Sequence, residues 1–128
     1  GPPEAYDDEG ERIEVYHSKG IVVWKESDVY EEVTEFTLPM TNDSNQFWVE
    51  TNLQFTGALI IQGYYIHAGT TPDELKTYLP QYNWKKNVSD WYEGIYKGVF
   101  IYIDYDEENK KINWIDFGLD DENSWSGD

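Results

Sequence analysis

Apolar and polar positions alternate through much of this chain, which predicts a protein built mainly from β-strands. Val99, Ile101 and Ile103 alternate with Phe100, Tyr102 and Asp104. Burying the first set turns the second toward the other face of a sheet. Gln46 to Phe55 behaves likewise, with Phe47, Val49, Thr51, Leu53 and Phe55 on one side and Trp48, Glu50, Asn52 and Gln54 on the other. Arg12 to Tyr16 and Ile21 to Lys25 flank His17-Ser18-Lys19-Gly20 and read as a hairpin. Val29 to Leu38 is β-rich and ends at Pro39, and Ala58 to Ile66 is apolar enough for a central strand. Ile112 to Phe117 is expected to pair back across the polar loop Asp106-Glu107-Glu108-Asn109-Lys110.

One helix start stands out. Thr71 can accept from the free amides of the first turn, Pro72 suits the first helical position, and Glu74 lies three residues after the cap. Leu75, Tyr78 and Leu79 then share a face before Pro80 ends the run, and a second helical turn is expected between Val88 and Tyr92. The fold class is therefore α+β: an antiparallel sheet of about five to seven strands with one or two short helices packed on one face. Residues 12–117 form a single domain, preceded by a flexible acidic lead-in over 1–11 and followed by an acidic tail over 118–128.

Charge changes the picture more than composition does. Twenty-six acidic residues against nine basic ones give a net charge of -17, spread along the chain. Such a field disfavours nucleic acid and anionic membrane, both of which need clustered Lys and Arg, and favours a protein partner that is basic at the contact. Charge held only for solubility is the competing explanation. Tyr, Trp and Phe make up 17% of residues, so many rings must reach the surface, where they suit recognition. There is no cysteine, which removes disulfides and thiol chemistry. No apolar run reaches the roughly 20 residues of a transmembrane helix. Gly1-Pro2 resembles a protease scar, so membrane attachment enters only through an N-terminal anchor that could have been cut away; an extracytoplasmic, membrane-anchored location is slightly favoured, with a cytoplasmic one as the alternative.

Catalytic sets are not expected. His17 and His67 lack the partners of a triad or a zinc site, and no phosphate-binding loop is present. Asp104, Asp106 and Asp116 could converge near one hairpin, but a glycosidase also needs a deep cleft. Asp104-Tyr105-Asp106-Glu107-Glu108 lacks the glycine and the terminal glutamate of an EF-hand loop. The chain is expected to be no enzyme, with no cofactor and no bound metal. The candidate partner-binding residues are instead rings among carboxylates: Trp48, Glu50, Phe100, Tyr102, Asp104, Asp106, Trp114 and Asp116.

From Ile66 to Phe117 a strand, then Gly69-Thr70-Thr71-Pro72-Asp73-Glu74-Leu75, then a closing strand pair follow in order. This unit resembles the Gly-x-Thr-x-x-Glu-Leu element of small lipoprotein-like α+β domains, the group that includes β-lactamase inhibitor protein. Leu79-Pro80 stands where those domains often carry Leu-Gly-x-Pro. In general character the chain also resembles the acidic immunity proteins of Gram-positive bacteria, such as the TipC type. That resemblance implies inhibition by occluding a secreted antibacterial toxin. The alternatives are a DNA-mimic inhibitor of a nucleic-acid enzyme, and an extracytoplasmic carbohydrate-binding domain using Trp48, Trp91 and Trp114 as stacking platforms.

Overall fold

The computed structural model describes residues 4–8, 11–16, 21–25, 33–41, 54–88 and 90–119. The fold is α+β. Eight strands form one antiparallel sheet: β1 (Glu4–Asp8), β2 (Glu11–Tyr16), β3 (Ile21–Lys25), β4 (Val33–Pro39), β7 (Lys85–Lys86), β8 (Tyr92–Tyr96), β9 (Val99–Asp106) and β10 (Lys111–Leu119). Their order across the sheet is β1-β2-β3-β4-β10-β9-β8-β7. A separate hairpin, β5 (Leu59–Ile61) with β6 (Tyr64–Ile66), and the helix α1 (Pro72–Tyr78) lie between β4 and β7 in the chain.

The expected alternation in β9 holds. Ile101 and Ile103 are 0% exposed and join Leu38, Ile112 and Ile115 in the core. Leu75 of α1 and Ile66 of β6 pack into the same cluster, so the helix and the hairpin cover this side of the sheet. A β-bulge between Ile112 and Trp114 keeps Ile112 on the core side, opposite Tyr105, while Trp114 faces the other way opposite Asp104. The bulge residue, Asn113, uses its carbonyl to accept from the amides of Met40 and Thr41, at 2.7 and 3.2 Å.

The helix begins as its sequence requires. Thr71 accepts from the Glu74 amide at 3.2 Å, and the Glu74 carboxylate accepts from the Thr71 amide at 3.2 Å, completing the capping box. Leu75 and Leu79 are buried as expected, but Tyr78 is 60% exposed and stacks on Tyr64 instead. The helix stops at Tyr78, and Pro80–Tyr82 continue as a 3-10 turn. Trp84 then donates from its indole nitrogen to the Leu79 carbonyl at 2.9 Å, tying the helix end to the sheet edge.

Four expectations give way. Glu4–Asp8, taken with the lead-in, pairs with β2 along its whole length, since an edge strand can carry acids without burying them. β10 runs to Leu119, into the stretch expected as tail. Ala58 to Ile66 is two strands and not one, because Gln62 and Gly63 both take positive φ (50° and 82°) and close a tight hairpin. Among the described residues, no helical turn forms between Val88 and Tyr92. Asn87 accepts from the Trp91 amide through its side chain, closing a turn, and β8 begins at Tyr92. The strand expected over Gln46 to Phe55 lies outside the described residues except for Gln54 and Phe55, which are irregular.

Gly94 allows β8 to sit under the aromatic edge. A Cβ there would lie 2.8 Å from the Tyr82 Cβ and 2.9 Å from the Trp84 ring. Gly94→Ala should therefore destabilise the fold by about 1–3 kcal/mol. Urea denaturation of the variant beside the parent checks this, and equal midpoints would show that the ring pair yields without cost.

Candidate functional site

Six of the eight residues singled out from sequence fall within the described part: Phe100, Tyr102, Asp104, Asp106, Trp114 and Asp116. Trp48 and Glu50 lie outside it. Strand pairing brings the six to the sheet face opposite α1. Asp104 stands across from Trp114, Tyr102 from Asp116, and Asp106 from Lys111. The pairing adds two residues that the sequence reading missed, Glu93 across from Tyr102 and Ile95 across from Phe100. Their signal was the alternation of Tyr92-Glu93-Gly94-Ile95-Tyr96, hidden by reading the preceding residues as helical.

The face divides into an open part and a closed part. Ile95 is 44% exposed, and Phe100, Tyr102, Glu93 and Asp104 are half-buried. The Phe100 and Tyr102 rings touch, with centroids 4.9 Å apart. Lys85 forms an ion pair with Glu93 at 3.6 Å. This open part has apolar rings with carboxylates at its margin. Toward β4 the face closes: Trp114 is 8% exposed and Thr37 is 0% exposed. Trp114 packs edge to face with Trp91 at 4.8 Å, so its ring supports the face and is not open as a stacking platform.

The carboxylates have different tasks. Asp104 accepts from the Asn113 side-chain amide at 3.0 Å. Asp106 accepts from the amides of Glu108 and Asn109 at 3.0 and 3.1 Å and from the Asn109 side chain at 2.7 Å. The Asn109 side chain, then its amide, hold the Asp106 carboxyl below its usual range, so it serves the hairpin turn. Asp116 is largely buried, accepts from the Thr37 hydroxyl, and shares a hydrogen bond with Glu35. Burial pushes its carboxyl up to about 6, against the opposing pull of Thr37 and Glu35.

His67, expected as a packed loop histidine, is exposed, and its Nδ1 accepts from the Gly69 amide at 3.0 Å. His17 lies outside the described residues. Among the described residues, no three His, Asp or Glu side chains gather as a metal ion would require.

The elevated Asp116 carboxyl has a consequence for stability. The folded state binds this proton more tightly than the unfolded chain does, so its contribution is full at low pH. It is lost as pH rises from about 4 through about 6. Asp116→Asn keeps the hydrogen-bonding shape and removes the charge. The variant should exceed the parent at pH 8 by on the order of 2–3 kcal/mol and show a flatter profile across that window. Urea titrations at a series of pH values measure this, and parallel profiles would assign the dependence to other groups.

No protein-family model matches the chain, and no curated protein matches it. Among solved structures, a cysteine-rich secretory protein from Staphylococcus aureus subsp. aureus Mu50 is similar over 92% of this chain, at 13% identity and a TM-score of 0.41. The chain spans 39% of that protein.

Proposed function

We propose that this chain is an acidic protein-binding inhibitor that receives a basic surface of another protein on the open part of the β8–β9 face. The reading is that of an immunity protein, which covers the active site of a secreted toxin and performs no chemistry of its own. The observation that carries it is the grouping of Ile95, Phe100 and Tyr102 beside Glu93 and Asp104, on the side of the sheet opposite the helix and the hairpin.

Each part of that surface has a physical role. The rings offer apolar area on stiff side chains, which is what an interface anchor needs to gain from desolvation. The carboxylates at the margin, Glu93 paired with Lys85 and Asp104 bonded to Asn113, act over distance, speeding the approach of a basic partner and fixing its orientation. The net charge of -17 extends the same attraction to the whole molecule. Trp114 and Asp116 lie beside the open patch on the neighbouring strand β10, across from Asp104 and Tyr102.

The direct experiment is capture of partners from cells and medium on immobilised protein, eluted with rising salt and identified by mass spectrometry. One stoichiometric basic protein released only at high salt is the expected result. A scatter of basic proteins lost at modest salt would mean that the charge serves solubility alone. With the partner in hand, Tyr102→Ala should weaken binding about tenfold or more, mainly through faster dissociation. Asp104→Asn should slow association and reduce its dependence on salt. Surface plasmon resonance separates the two rates, and unchanged kinetics in both variants would remove this face from the interface.

A further inference from the structure

The strand order β1-β2-β3-β4-β10-β9-β8-β7 sets the four strands that come first in the chain beside the four that come last. Among the described residues, the β4–β10 ladder is the pairing that joins these two halves of the sheet. Five residue pairs form it, from Trp114 with Pro39 to Gly118 with Glu35. On the core side Leu38 faces Ile115, and the Phe36 ring stacks on Phe117 with centroids 5.2 Å apart. The opposite side of the same ladder is polar. Asp116 stands directly across from Thr37 and one diagonal step from Glu35. It accepts from the Thr37 hydroxyl and shares a hydrogen bond with Glu35.

We propose that the β4–β10 ladder is a proton-dependent seam: a proton held between Glu35 and Asp116 keeps the two halves of the sheet paired, and its release loosens this ladder locally. Two carboxyl groups reach hydrogen-bond contact only while one of them carries a proton, so the contact itself marks a protonated pair. Asp116 is largely buried and Thr37 is 0% exposed, so little water screens the two carboxylates once the proton leaves. Like charges then oppose each other across the one ladder on which the joint depends. The burial that raises the Asp116 carboxyl to about 6 brings this release between mild acid and neutral pH.

The neighbouring strands supply the rest of the local field. From β9, Tyr102 stands across from Asp116, and Asp104 lies one diagonal step away, bonded to the Asn113 side chain at 3.0 Å. From β8, Glu93 stands across from Tyr102 and is paired with Lys85 at 3.6 Å. From β3, Trp24 and Val22 stand across from Glu35 and Thr37. Asp104 and Glu93 add negative charge to this side and favour the protonated pair, while Lys85 offsets Glu93. The apolar contacts of Leu38, Ile115, Phe36 and Phe117 carry no titrating group. They hold the core side through the change, so the loosening is confined to the seam and the sheet does not come apart as a whole.

Residue-resolved hydrogen exchange in low urea tests this, at about pH 5 and about pH 8, corrected for the pH dependence of amide chemistry itself. Local opening exposes little surface and so depends weakly on urea, whereas global unfolding depends on it steeply. Amides bonded between β4 and β10 are expected to exchange with the shallow urea dependence, and their protection should fall about tenfold or more at the higher pH. Asp116→Asn should abolish the fall. Glu35→Gln, whose amide donates to Asp116 at either pH, should reduce it severalfold. Asp90→Asn removes one charge from an exposed turn and should leave it intact. The seam is overturned if these amides show the steep urea dependence of the β8–β9 ladder, or if their protection does not change with pH. A fall unaltered by either seam substitution, or abolished by Asp90→Asn, would overturn it equally. All readouts come from the isolated chain, so partner capture at the β8–β9 face stands or falls separately.

Discussion

Pairing between β9 and β10 sets which side of the sheet each ring and each carboxylate occupies, because a strand offers its side chains alternately to two faces and a ladder locks neighbouring strands in phase. Ile101 and Ile103 are fully buried, and so are Ile115, across from Ile103, and Ile112, across from Tyr105. A shift of one residue would exchange those isoleucines with Phe100, Tyr102, Asp104 and Asp116, and place carboxylates in the core. The cost of burying unpaired charge would far exceed what the ladder contributes, so the hydrophobic demand of one face dictates the chemistry of the other. The aromatic and acidic surface is in that sense the reverse side of the core.

Strong alternation made β9 and its outward face legible from sequence, and the capping residues made α1 legible. The remaining differences have physical causes. Glu4–Asp8 looked loose because acids avoid strand interiors, but an edge strand has a backbone ladder on one side only and tolerates them. Ala58 to Ile66 looked like one strand because Gln62-Gly63 is a weak turn signal inside an apolar run. The hairpin gives both halves an inner side to bury. Tyr78 had the spacing of a core residue and the size of a surface one, and its ring found Tyr64 at the helix flank.

The candidate site was partly legible for the same reason. Phe100, Tyr102 and Asp104 follow from one strand's alternation, whereas the closure around Trp114 and Asp116 depends on β4, whose Thr37 comes from far away in the chain. Burial of that kind is not encoded locally. Asp106 was grouped with the binding carboxylates on position alone, and its three bonds to Glu108 and Asn109 give it a task in the turn. The two faces of the sheet therefore differ in how they were readable. Periodicity predicts which side a residue points to, but only the tertiary pairing tells whether that side is open.

The bulge at Asn113 has a further meaning for how such a chain can change over time. It divides β10 into two stretches whose inward positions follow opposite parity, Ile112 before it and Ile115 after it. A length change in the loop Glu107–Lys110 leaves both stretches in frame with the core, and evolution can trim or extend that loop freely. The loss of a single codon between 112 and 115 would invert one stretch relative to the other. Homologous chains are then expected to drift in loop length and in surface charge while keeping the count of residues across this short segment constant.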